Sequence, residues 1–140
     1  MKDIPDNIPV FKEVFSPIVK QAEDKGIRIA FENCPLFHYF PFRGINIACC
    51  PRVEDLMFDA IPSETIRLEY DPSHLICLVI DYVEIIYKYG AKISHVHTKD
   101  AELLKRNIRV KGILEPGAVR HGTPRYFNRS VSLKGECHAG

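Results

Sequence analysis

An alternation of helical and strand-like segments is the feature that most constrains how this chain folds. Apolar residues recur at helical spacing over residues 9–25, 53–60 and 75–89. Short runs typical of β-strands follow these segments at residues 27–32, 65–71 and 93–97. Because each predicted helix precedes a predicted strand, the order predicts an α/β fold with about three parallel strands, right-handed crossovers and outer helices.

Each predicted strand ends in a potential metal ligand, namely Glu32, Asp71 and His97. Parallel strands end at one edge of a sheet, and neighbouring strands are about 4.8 Å apart, so these side chains can reach a single ion. Side chains alternate along a strand, which places Glu69 on the face of Asp71 and His95 on the face of His97. Two carboxylates and one imidazole suit Mn²⁺, Mg²⁺, Co²⁺ or Zn²⁺. A single Glu or Asp at a strand end is more often a cap or a surface charge, and the repetition at three successive strand ends favours a functional site.

Further polar residues follow the second and third strands. His74 begins the next predicted helix, where it either contacts a substrate hydroxyl or bonds the backbone. Lys99 either stabilises developing oxyanion charge or pairs with Asp100. His95 is predicted to pack beside the ligands rather than to bind metal. The histidines at predicted loop positions are assigned no role: His38, His121 and His138.

The remaining segments lack a clear period. Residues 33–50 are rich in aromatics and are predicted to form either a lid over a pocket or a loop packed on the surface. Residues 101–110 fit a short basic helix, and glycine and proline make 111–124 a predicted loop. The expected organisation is one α/β unit over 1–124 and an irregular or disordered tail over 125–140.

The composition disfavours several classes of partner. Nineteen basic and eighteen acidic residues are scattered along the chain, which argues against nucleic acid or anionic membranes as partners. No apolar run approaches the roughly 20 residues of a membrane span, and the N-terminal sequence does not resemble a signal peptide. Five cysteines without a C-x-x-C pair suit a reducing compartment, so a cytoplasmic location is expected.

Five motifs carry a resemblance to a known family: FENCP at residues 31–35, GINIA at 44–48, YDPSH at 70–74, IDY at 80–82 and HVHTKD at 95–100. In this order they resemble the sugar phosphate isomerase/epimerase family with the xylose isomerase-like TIM barrel. The resemblance implies that Glu32, Asp71 and His97 are metal ligands and that Glu32 also takes part in proton transfer. It implies that His74 contacts substrate. Asn33 and Arg120 are further candidates for substrate binding.

The chain departs from the family in three respects. A complete eight-fold barrel needs roughly 200 to 250 residues, so 140 residues are expected to form its C-terminal part, from just before the fifth strand. The loop over 117–125 lacks the family's tryptophan and has glycine where a second arginine is usual. The glutamate that ends the family's eighth strand has no counterpart, and Glu136 is not expected to replace it.

Three functions are weighed on these grounds. The first is a divalent-metal-dependent sugar or sugar-phosphate isomerase or epimerase that uses an enediolate, with Glu32, His74 and Lys99 as catalytic residues. The second is an inactive fragment that pairs with a second copy or a complementing chain to close the barrel. The third is a relative of abasic-site endonucleases, which the absent basic face and the small number of histidine ligands disfavour.

Overall fold

The computed structural model describes residues 4–38, 43–44, 46–99, 101–113 and 116–121. Within these ranges, short helices surround a small parallel sheet. In chain order the helices and strands are α1 (Ile8–Asp24), β1 (Ile29–Glu32), β2 (Phe37–His38), β3 (Arg43–Gly44), α2 (Pro51–Ala60), β4 (Ile66–Tyr70), α3 (Pro72–Cys77), α4 (Tyr82–Tyr89), β5 (Ile93–Val96), β6 (Ala101–Leu103), α5 (Lys105–Lys111) and β7 (Val119–His121).

The central sheet has the strand order β1-β4-β5, and both pairs are parallel. The backbone pairing continues past the strand ends, since His97 N donates to Tyr70 O at 2.9 Å and Asn33 N donates to Glu69 O at 3.3 Å. All three strands therefore end at the same edge. The sheet is not closed, and the predicted α/β class with three parallel strands and outer helices is confirmed as part of a barrel.

The alternation along β4 separates the core from the functional face. Ile66, Leu68 and Tyr70 are buried, whereas Arg67 and Glu69 are only partly buried. Ile66 joins a core cluster with residues of α1 and α2, and Leu68 and Tyr70 join a second cluster with α3 and α4. Apolar side chains thus anchor the sheet to the outer helices, and the opposite face of β4 carries polar groups.

The predicted single helix over 75–89 was wrong, because the structure has two helices, α3 and α4, in this region. Val79 has a φ of +59° between them, outside the helical range. Asp81 then caps α4, accepting hydrogen bonds from Val83 N at 2.9 Å and Glu84 N at 3.1 Å. A side chain that bonds the first amides of a new helix competes with continuation of the old one. The sequence is apolar on both sides of this break, so its periodicity did not predict where one helix ends and the next begins.

Two other regions contain strands that the sequence did not predict. Within 33–50, β2 and β3 form a short antiparallel pair. Residues 101–103 pair with 119–121 as β6 and β7, so the predicted helix over 101–110 is confined to α5. Residues 39–42 and 45 of the predicted lid and the whole predicted tail, 125–140, lie outside the described residues. The lid and the domain boundary at residue 124 stay predictions.

None of the helices in the described ranges has the length and apolar character needed to cross a membrane.

Candidate metal centre

Asp71 follows β4 directly and has its carboxylate fixed by the start of α3. Its Oδ1 accepts hydrogen bonds from Ser73 N at 3.0 Å and from Ser73 Oγ at 2.6 Å. The side chain is fully buried, and Oδ2 accepts a hydrogen bond from Lys99 Nζ at 2.8 Å. The N-terminal turn of α3 therefore orients Asp71 and directs Oδ2 toward the ends of the other two strands.

Asn33 ties the end of β1 to the end of β4. Its Nδ2 donates to Asp71 O at 2.8 Å, and its Oδ1 accepts from Asp71 N at 2.6 Å. Both residues are fully buried. The sequence predicted Asn33 as a substrate-binding residue, and the structure engages both ends of its amide with the Asp71 backbone. This bridge holds Glu32 and Asp71 side by side.

The three predicted metal ligands converge at the carboxyl edge of the sheet. His97 Nδ1 lies 3.1 Å from Glu32 Oε1 and 3.4 Å from Asp71 Oδ2. Ligand atoms of the three residues all lie within 4.8 Å of one another. His74 Nε2 is 3.5 Å from both carboxylates. Lys99 Nζ lies 3.4 Å from His97 Nδ1 and 4.0 Å from Glu32 Oε1, so five predicted site residues form one cluster.

The carboxylates of this cluster are paired with a lysine side chain. Burial raises the pKa of Asp71, but hydrogen bonds from Lys99 and Ser73 outweigh it and hold that pKa below its ordinary value. The hydrogen bond to Asp71 raises the pKa of Lys99. A positive ammonium group thus lies among the predicted ligands. Two carboxylates and an imidazole are also a donor set that divalent metals bind, so the residues present fit such an ion.

Two residues near the site were not predicted as functional. Glu69 Oε1 is 2.6 Å from His97 Nε2 and 3.8 Å from His95 Nε2. Cys34 forms a further group of potential ligands with Glu32 and His74. Each lies two residues from a predicted ligand. For Glu69, which is on the strand itself, the two-residue alternation of side chains could have shown that it shares a face with Asp71. His95, which was expected to pack beside the ligands, has a side chain that is 63% exposed.

Two further residues considered from the sequence are Arg120 and Glu136. Arg120, a predicted substrate-binding residue, lies on β7, where its guanidinium pairs with Glu102 Oε2 on β6 at 3.1 Å. Both side chains are about half exposed to solvent. Glu136 lies outside the described residues.

Comparison with known proteins places the chain in a family. No curated protein matches the sequence. The family model described as xylose isomerase-like TIM barrel matches residues 2–126, which is most of the chain. This family includes sugar isomerases and epimerases as well as abasic-site endonucleases. The chain, with its open parallel sheet and cluster of ligands at the strand ends, belongs to the xylose isomerase-like TIM barrel family.

Proposed function

We propose that this chain carries the site of a divalent-metal-dependent isomerase or epimerase that acts on a sugar or sugar phosphate. The observation that supports this most directly is the convergence of Glu32, Asp71 and His97 from the ends of three adjacent parallel strands. In α/β barrels, catalytic residues come from the carboxyl ends of several different strands. The ligand arrangement and the family membership support the same function.

Glu32, Asp71 and His97 would hold the ion. When bound, a divalent metal would supply Lewis acidity, which polarises the substrate carbonyl and lowers the pKa of the proton on the neighbouring carbon. Mn²⁺, Mg²⁺, Co²⁺ and Zn²⁺ all suit the donor set. The imidazole favours the transition metals and Zn²⁺ over Mg²⁺.

Glu32, His74 and Lys99 are the proposed catalytic residues. The Glu32 carboxylate takes a proton from the carbon next to the substrate carbonyl. The electron pair of that C–H bond forms the C=C bond of an enediolate, and the carbonyl oxygen takes the negative charge. Lys99 stabilises this charge, and His74 holds a substrate hydroxyl. Delivery of the proton to the former carbonyl carbon, with transfer of the enediolate hydroxyl proton to the other oxygen, gives an isomer. Protonation of the original carbon on its opposite face, by an acid other than Glu32, gives an epimer.

A second proposal is that the chain is inactive alone and that another chain or a second copy completes the barrel. Within the described residues, β1 and β5 each pair on one side only, so the sheet has two open edges. On α1, Val10, Val14 and Ile18 are between 45% and 50% exposed. Further strands and helices would cover these edges and apolar side chains.

The test combines metal binding with exchange of substrate protons. Purified protein is titrated with Mn²⁺ by electron paramagnetic resonance and then incubated with ketoses in D₂O. Deuterium should enter the carbon next to the carbonyl, and Asp71→Asn and His97→Gln should abolish both signals. Glu13→Gln is the matched control, since Glu13 is an exposed carboxylate on α1.

The outcomes separate the proposed functions. Exchange that appears only at concentrations where the protein sediments as a dimer would favour completion by a second copy, whereas metal binding without exchange in a monomer would favour completion by another chain. Cleavage of abasic DNA without ketose exchange would favour the endonuclease branch of the family. If the wild-type protein binds no divalent metal, the isomerase proposal is refuted.

A further inference from the structure

His97 lies between two acidic groups, one on each of its ring nitrogens. Nδ1 lies 3.1 Å from Glu32 Oε1 and 3.4 Å from Asp71 Oδ2. Nε2 lies 2.6 Å from Glu69 Oε1. A neutral imidazole carries one proton, and its other nitrogen presents a lone pair. The contact with Glu69 has the length of a hydrogen bond, and with a neutral imidazole and an ionised Glu69 this bond places the proton on Nε2.

We propose that Glu69 is a positioning residue that accepts the Nε2 proton of His97 and thereby presents the Nδ1 lone pair to a metal ion held by Glu32 and Asp71. This inference rests on the proposed metal site. Histidines that bind metals commonly donate their other N–H to a carboxylate, which fixes the tautomer, orients the ring and strengthens the ligand.

The position of Glu69 in the fold suits this role. Glu69 lies on β4, the central strand of the sheet, and is paired on both sides, with Glu32 on β1 and His95 on β5. Its side chain is 22% exposed and that of His97 is 33% exposed, so both groups are partly withdrawn from water. A carboxylate on a strand that is paired on both sides has a more fixed position than a carboxylate on a loop. Because it is also partly desolvated, its hydrogen bond to the imidazole is stronger.

A competing use of Glu69 is as a direct ligand. Glu69, His95 and His97 together form a second group of potential ligands. In that arrangement these three residues would hold a second ion. His97 Nε2 would then present a lone pair to that ion and carry no proton. The distances favour the positioning role, since Glu69 Oε1 is 3.8 Å from His95 Nε2 but 2.6 Å from His97 Nε2. A variant at His95 separates the two uses.

The experiment measures the tautomer of His97 and the affinity for Mn²⁺ independently. Side-chain ¹⁵N NMR of the metal-free protein is recorded at a pH where imidazoles are neutral, and His97→Gln assigns the resonances. We expect His97 to carry its proton on Nε2. Glu69→Leu removes the acceptor and should weaken Mn²⁺ binding by about 10- to 100-fold. Glu69→Gln keeps an acceptor oxygen and should restore part of that loss. His95→Ala and Glu13→Gln, a change at an exposed position of α1, should bind Mn²⁺ as the wild type does.

Three results would overturn the inference. They are a proton on Nδ1 of His97, unchanged affinity in Glu69→Leu, and two bound ions per chain that fall to one in His95→Ala. If the wild-type protein binds no Mn²⁺ but His97 carries its proton on Nε2 in a Glu69-dependent way, the proposed function fails and the pairing of Glu69 with His97 is supported.

Discussion

Replacing Asn33 with alanine tests whether the amide bridge at the strand ends holds the metal site together. Asn33 Nδ2 donates to Asp71 O at 2.8 Å, and Asn33 Oδ1 accepts from Asp71 N at 2.6 Å. Alanine provides neither group, so the buried N–H and C=O of Asp71 lose their partners. The substitution therefore affects the backbone that carries a predicted ligand.

The expected loss of stability follows from these two hydrogen bonds. A buried polar group left without a partner costs about 1 to 3 kcal/mol, so two such groups cost about 2 to 6 kcal/mol. Water that enters the space left by the amide would keep the loss near the lower bound. Whole domains are stable by about 5 to 15 kcal/mol, so the variant should be folded but markedly weakened.

Urea unfolding followed by circular dichroism measures this change, and a matched pair of variants identifies its cause. Asn33→Asp keeps the volume but replaces the donor to Asp71 O with an oxygen, so it should destabilise the protein at neutral pH at least as much as alanine. Asn46→Ala removes a partly buried amide that donates to Cys34 O at 2.7 Å. Its expected cost is about 1 kcal/mol.

Two results would contradict this reasoning. If Asn33→Ala unfolds within about 0.5 kcal/mol of the wild type, the bridge contributes little to stability. If Asn33→Asp is as stable as the wild type, the volume of the side chain matters and its donor does not. A stable Asn33→Ala variant that loses substrate binding alone would instead support the role predicted from the sequence.

Three further variants have defined expectations. Glu54 is 2% exposed, no described residue bonds its carboxylate oxygens, and burial raises its pKa from 4.5 to about 7. The contribution of Glu54 to stability is present below pH 4.5 and is lost as the pH rises through about 7. Glu54→Gln should therefore be more stable than the wild type at pH 8, by up to roughly 3 kcal/mol in urea unfolding. Equal stability of the two proteins at pH 8 would contradict this. Lys99→Met removes the ammonium group that bonds Asp71 Oδ2 and should bind Mn²⁺ more tightly, as measured by calorimetry. Lys105→Met, on α5, is the control. Weaker Mn²⁺ binding in Lys99→Met than in this control would show that Lys99 assists binding of the ion. Leu68→Ala leaves a cavity in the core, where Leu68 is 1% exposed, and should lower the free energy of unfolding by about 2 to 5 kcal/mol in thermal unfolding. Val110→Ala, at an 85% exposed position, should lower it little.

The periodicity of the sequence was enough to predict the strands and the polar residues at their ends. β1, β4 and β5 lie within the predicted ranges, and the residues that end or follow them are Glu32, Asp71 and His97. These features depend on local properties, namely the two-residue alternation of a strand and the rule that parallel strands end at one edge. The break between α3 and α4 was missed because a run of apolar residues fits one long helix as well as two short ones.

The sequence by itself determined which residues reach the edge of the sheet, and only the tertiary structure decided how they interact there. Asn33 and Asp71 are 38 positions apart, and Glu32 and His97 are 65 apart. A register shift between Leu68 and Glu69 places His95 opposite Glu69. The physical reason is that hydrogen bonds between distant residues depend on strand order, register and side-chain rotamers. Packing of the whole sheet sets strand order and side-chain rotamers, whereas the hydrophobic pattern constrains register by fixing which face each side chain occupies.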